Sequence, residues 1–237
     1  MHRTRIPQET ITAVTARMGR AHPFDAIDPL KTALVVIDMQ NHFVAPGFMN
    51  ETPMAREITP AVNRLAAGVR KMGGHVVWIQ NSTNDTWESW SVYHCDLNTP
   101  ERAKKRYASM DEAAEGHQLW HALDPQPEDT RMTKKRFSAF IQGSSGLEAL
   151  LRARGLDTVL VAGTATQVCC ESTARDACML NFKTLMISDA NATSSDEIHN
   201  ASLNAFYLNF GDVQTVDEAL ASMARGAATR RAVARSR

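Results

Sequence analysis

Six short strand-like runs, the first and fourth continuously apolar, separated by stretches of helical spacing, constrain this chain more than any other feature. The runs fall at Thr32–Ile37, 75–79, 130–133, 157–162, 182–187 and 213–216. Leu34-Val35-Val36-Ile37 and Val159-Leu160-Val161-Ala162 are apolar at both parities, so neither face of those strands is meant for water. Between the first two runs, Val62, Leu65, Val69 and Met72 recur at helical spacing, with Thr59 as the expected N-cap, Pro60 at the first helical position and Gly73-Gly74 as the stop. A further helix opens at Ser145, carries Leu147, Leu150 and Leu151, and closes at Gly155. Helices are also expected over 168–179, ending near Asn181, and over 195–208, with Asp196 and Glu197 in the first turn. Strand and helix alternate throughout, which predicts right-handed crossovers and an α/β fold: one parallel sheet covered by helices on both faces.

Residues 82–128 break the rhythm. They are poorly periodic, place Trp87, Trp90 and Tyr93 among polar neighbours, and offer a helix only over 110–123. A connection of that length inside a compact domain is read either as a substrate-facing lid or binding wall, or equally as a packed surface excursion whose aromatics fill gaps.

Composition removes several function classes. With 26 basic and 26 acidic residues the formal charge is zero, which argues against nucleic acid as a partner. The basic residues crowd only at the end of the chain, at Arg225, Arg230, Arg231, Arg235 and Arg237, read as a solvated tail. No apolar stretch reaches the ~18 residues of a membrane span, and none near the start suits a secretory signal, so no membrane partner and a cytoplasmic location are expected. The four cysteines, two of them adjacent, do not form the framework of a small secreted domain, and reduced thiols are expected. His117 and His121 lie four apart but have no evident third ligand, so no metal and no cofactor are anticipated. The chain divides on this reading into a 1–29 extension, a 30–222 catalytic domain and a 223–237 basic tail.

Ligands gather outside the carboxyl ends of parallel strands, and three chemically useful residues fall there. Asp38 follows the first run, Lys135 the third, and Cys169 the fourth, just past the small-residue turn Gly163-Thr164-Ala165-Thr166. A carboxylate can accept a thiol proton and return it to a leaving amine, while an ammonium keeps that carboxylate ionised. A helix start beside the sulfur favours the thiolate, and the N–H groups of Ala165 and Cys169 are candidates for an oxyanion hole. Gln40, Asn41 and Asn81 stand just beyond the first two strands, where their amides could bind a ureido or carboxamide group, with Trp87 or Trp90 covering it.

Three segments carry a resemblance. Leu34-Val35-Val36-Ile37-Asp38-Met39-Gln40-Asn41, Lys135-Arg136-Phe137-Ser138-Ala139-Phe140 and the stretch from Gly163 through Cys169-Cys170 to Ala177 are similar, in order and spacing across 30–220, to the isochorismatase-like cysteine hydrolases. The resemblance implies a six-stranded, Rossmann-like α/β/α fold and an Asp-Lys-Cys triad at Asp38, Lys135 and Cys169. It also implies a non-proline cis peptide before Ala165 that shapes the oxyanion hole, and a thioester-type acyl-enzyme. A small amide or ureido compound is then the substrate, and a homo-oligomer, dimer or tetramer, is expected. Cys170 and Cys178 are structural on this reading.

Within the family, Trp78-Ile79-Gln80-Asn81, Pro125-Gln126-Pro127-Glu128-Asp129 and the Cys169 helix resemble the ureidoacrylate amidohydrolases. Phe43, expected to face substrate, replaces a tyrosine of that subgroup, and Gly143-Ser144 replaces an Asn-Thr, which points to a rebuilt pocket. The metal-binding Asp-x-His of nicotinamidases has no counterpart, because Asp85 is followed by Thr86-Trp87. The cysteine counts against an isochorismatase-type vinyl-ether hydrolase, the three aligned groups against a non-catalytic scaffold, and the adjacency of Cys169 and Cys170 against a redox pair.

Overall fold

A computed structural model describes residues 1–235. Six strands, β1 (Thr32–Ile37), β2 (His75–Asn81), β3 (Thr130–Lys134), β4 (Thr158–Thr164), β5 (Lys183–Ala192) and β6 (Asp212–Gln214), form one sheet in the order β3-β2-β1-β4-β5-β6, with every neighbouring pair parallel. Eight helices accompany them among the described residues: α1 (Gln8–Met18), α2 (Asn41–Val44), α3 (Pro53–Lys71), α4 (Pro100–Ser109), α5 (Leu147–Ala153), α6 (Glu171–Met179), α7 (Asp196–Asn209) and α8 (Val216–Arg235). The three-layer α/β/α architecture expected from the βα alternation is thus present.

The apolar parity of each strand sorts the core into two layers. Leu34, Val36, Trp78 and Leu160 pack on one face with Ile58, Val62, Leu65 and Val69 of α3 and Met223 of α8. On the other face, Val35, Ile37, Val77, Ile79 and Val161 pack with Leu147 and Leu151 of α5, Ala174 of α6 and Phe206 of α7. Each fully buried Val, Leu or Ile contributes about 1.5–3 kcal/mol, so the two layers together dominate the stability. Trp78 is wholly buried, and its indole N–H donates to Asp129 Oδ2 at 2.7 Å. Arg70 makes a bidentate pair with the same carboxylate, tying α3 to the start of β3.

Several boundaries differ from the expected ones. The helix after β1 begins at Pro53, so Thr59 and Pro60 lie inside it rather than at its start, and the Thr59 hydroxyl donates to the Ala55 carbonyl. Within the excursion the helix is α4, not 110–123; its N-cap is Thr99, whose hydroxyl accepts from the Arg102 N–H. His117 and His121 therefore do not share a helix: His117 ends a 3-10 turn and His121 packs on Trp120. The 1–29 extension contains α1, which packs on α7, with Thr10 donating to Asn204. The division at 222 falls within α8, which continues to Arg235, with Arg225 bonded to the Asp25 carbonyl and Arg230 paired with Asp28; Arg237 lies outside the described residues. No helix among the described residues is long and apolar enough to cross a membrane.

Candidate active site

The sheet order reverses between β1 and β4, and the connections leave those neighbours in opposite directions, which opens a crevice at their carboxyl ends. Gly163 makes the two strands meet there. A Cβ at this position would stand 2.0 Å from the Ile37 carbonyl oxygen, and its φ is +121°, so glycine alone fits. Beyond it the chain crosses a cis Thr164-Ala165 bond, as the resemblance implied, turns through the π-helical residues Thr166–Cys170, and enters α6. The Ala165 carbonyl accepts from both Val168 and Cys170 N–H groups, and the buried Thr166 hydroxyl pairs with His199 Nδ1 at 2.9 Å, so the turn that carries Cys169 is held on both sides.

Asp38 follows β1 with φ +53°, a left-handed conformation that aspartate tolerates better than most residues. Its N–H donates to the Ile79 carbonyl, which fixes the backbone while the carboxylate turns into the interior. There it meets Lys134: Nζ lies 2.8 Å from Asp38 Oδ2, and both side chains are fully buried. Nζ also donates to the Arg136 carbonyl at 2.9 Å. The Cys169 thiol interacts with the same carboxylate, so Asp38 sits between the ammonium and the sulfur.

The lysine position is a correction. Lys135 points out of the sheet toward the exposed Asp85, 3.4 Å away, and does not reach Asp38. In β3, Met132 and Lys134 share the inward parity and Lys135 falls on the other, so the residue one step earlier enters the site.

Electrostatics define the resting state. Burial raises the Asp38 carboxyl above the ordinary carboxylate value, against the lowering effect of Lys134 and Cys169. Burial opposes the Lys134 ammonium, yet the negative charge of Asp38 and the Cys169 sulfur outweigh it and raise its pKa. The Cys169 thiol is pushed up to about 12, first by burial and then by the Asp38 carboxylate, with Lys134 only partly compensating. The expected thiolate is therefore not the resting form. The site holds a thiol beside a carboxylate of raised basicity, an arrangement in which the carboxylate can accept the thiol proton.

A cavity of about 510 Å³ opens onto this group, lined by Ala165, Gln167 and Cys169 on the sheet side and by Phe43, Tyr93 and Arg106 opposite. The excursion thus supplies one wall, through Tyr93 and α4. Phe43 is where it was expected; the other substrate-binding assignments need revision. Gln40 is buried with its amide fully engaged, Nε2 donating to the Asn81 and His117 carbonyls and Oε1 accepting from the Asn81 N–H, so it crosslinks β1 to β2. Asn41 donates to the Glu115 carbonyl and fastens α2 to the excursion. Trp87 packs against His94 and Tyr107, and Trp90 against Tyr93 and Phe137; neither lines the cavity. Asn81 is buried on β2, between the strands of Asp38 and Lys134, with Nδ2 unpartnered, and is not on the cavity wall.

Arg106 was missed. It is 3% exposed, and its Nε and Nη1 have no hydrogen-bond partner. A second cavity of about 440 Å³ lies between the N-terminal arm and β6, but its His22 is engaged by Asp212, and no cysteine borders it.

With fold and site in view, the comparisons with known proteins define the class. The isochorismatase domain matches residues 32–218, and the chain belongs to that family of α/β hydrolases. Over 203 residues, 80% of this chain and 89% of the relative, it is 30% identical to a ureidoacrylate amidohydrolase of Caulobacter vibrioides. Its fold is similar to that of a cysteine hydrolase from Pseudomonas syringae, with TM-score 0.74 and 27% identity over 84% of this chain and 95% of that one. An N-carbamoylsarcosine amidase from Thermoplasma acidophilum superposes with TM-score 0.62 and 26% identity over 79% and 97% of the two chains.

Proposed function

We propose that this hydrolase is a cysteine-dependent amidohydrolase that cleaves a C–N bond of a small ureido, carbamoyl or carboxamide compound. The observation that carries this reading is the buried contact of Asp38 with Lys134 beside Cys169 at the mouth of a closed turn. The ureidoacrylate amidohydrolase and N-carbamoylsarcosine amidase among its relatives support the bond type.

The chemistry follows from the charges. Asp38 takes the Cys169 proton as the sulfur attacks the carbonyl carbon, and the new oxyanion is received by the N–H groups at Ala165 and Cys169, worth about 3 kcal/mol per donor. Collapse expels the nitrogen, which leaves as ammonia or amine with the proton held by Asp38, and a thioester-type acyl-enzyme remains. Water, deprotonated by Asp38, then attacks that acyl group, and the departing sulfur recovers the proton. Lys134 keeps Asp38 charged at the start of each half-reaction and balances the charge that the sulfur carries in transit.

Ammonia release across a panel of ureido acids, primary amides and biuret-like compounds tests the reading. At least one compound should be turned over by the wild type, Cys169→Ala should lose several orders of magnitude in kcat while retaining the fold, and Cys170→Ala should stay active. Retention of more than about a hundredth of the activity by Cys169→Ala would refute the nucleophile.

A further inference from the structure

We infer that the compound hydrolysed here is an anion whose carboxylate is seated on Arg106, with the scissile carbonyl delivered to Cys169 across the same cavity; the inference rests on the amidohydrolase reading and names its substrate class. Arg106 lines the cavity, yet the protein gives its Nε and Nη1 nothing to donate to. A buried guanidinium without an acceptor is costly, and its planar fork of donors fits a carboxylate bidentately. The Tyr93 ring lies 4.7 Å from the guanidinium carbon and steadies the group without using its N–H donors.

Nothing else on the wall neutralises it. Glu51, the acid that borders the cavity, is already taken by the Gly47 N–H and by Arg56. Arg102, the other cation there, donates to Asn50. The chamber is therefore positive opposite the sulfur. Arg106 makes no hydrogen bond to Asp38, which already has Lys134 at 2.8 Å, so a role in charging the triad is already filled. Gln167, on the sheet side of the cavity, holds a buried Oε1 without a donor, a place for an N–H at the other end of such a molecule.

The test uses two alkylating reagents of nearly the same size, anionic iodoacetate and neutral iodoacetamide, with modification followed on the peptide containing Cys169 so that the exposed Cys95 does not interfere. The ratio of the iodoacetate to the iodoacetamide rate at Cys169 should exceed that of glutathione at the same pH at least tenfold. Arg106→Met should bring it down to the glutathione value, Arg106→Lys should retain part of it, and succinate should protect Cys169 where succinamide does not. A wild-type ratio at or below that of glutathione, which needs no variant to fold, would overturn the inference, as would an unchanged ratio in Arg106→Met. Protection by inorganic phosphate but not by succinate would overturn the carboxylate assignment. These rates involve no turnover, so failed amide hydrolysis with a high ratio would count against the catalytic reading alone; no modification of Cys169 by either reagent would overturn both.

Discussion

At the residue scale, one step of sequence separates an outward-facing cation from the one in the site. Lys134 is fully buried against Asp38, whereas its neighbour Lys135 reaches toward an exposed aspartate. The distinction was legible: the lone apolar residue of β3, Met132, marks the inward parity, and Lys134 is two positions on. Lys134→Met should lower kcat/KM by at least about a thousandfold, whereas Lys135→Met should stay within about threefold, as measured on the best substrate of the panel. The acid limb of the pH profile carries a second expectation. As the proposed base Asp38 has to be ionised, and burial raises its pKa, so kcat/KM should fall as pH drops through a value above the ordinary carboxylate range. An inflection at or below that range would contradict Asp38 as the base. Arg106 was also readable, since Ala103, Arg106 and Met110 repeat at helical spacing and all are buried, placing an arginine on an apolar stripe. The consumed amide of Gln40 was not readable, because only the three-dimensional position of the Asn81 backbone reveals it.

At the scale of elements, the strands were legible and the helix starts less so. A run such as Leu34-Val35-Val36-Ile37 states its burial directly, whereas Thr59-Pro60 imitates a helix start although tertiary packing carries α3 back to Pro53. Pro60 is exposed in the interior of that helix, where proline costs about 3 kcal/mol relative to alanine. Pro60→Ala should therefore raise the urea midpoint of unfolding; a lowered midpoint would mean that the ring serves the packing of α3. Two buried histidines link the elements around the site. His42 in α2 bonds Ser109 at the end of α4, and His199 in α7 holds Thr166. Burial lowers their pKa values to about 3 and about 4, helped by Arg106 for the first and by His2 for the second. The unfolded chain takes up these protons near pH 6.5 while the native state does not, so stability is complete above that pH and is lost as pH falls below it, by about 1.4 kcal/mol per unit per histidine. Unfolding free energies at pH 7 and pH 5 should show this loss, and His42→Gln should reduce the slope. An equal slope in the variant would remove His42 from the account.

At the scale of the whole molecule, strand order brings the site residues together. Placing β1 beside β4 sets Asp38 against the turn that carries Cys169, and Lys134 reaches them from β3 past β2 because its side chain is long and its parity inward. The sequence pattern pointed to the sheet, the three residue types and their common edge. It could not supply the depth of burial, which makes the sulfur a resting thiol rather than a thiolate. The central claim is that Cys169 becomes covalently acylated, and acid-quenched mass spectrometry during turnover of the best substrate tests it directly. The peptide containing Cys169 should gain the mass of the acyl group without the leaving amine, and the gain should disappear when substrate is exhausted. Product accumulating with Cys169 unmodified at every quench time, and with Cys169→Ala still turning over, would contradict the account.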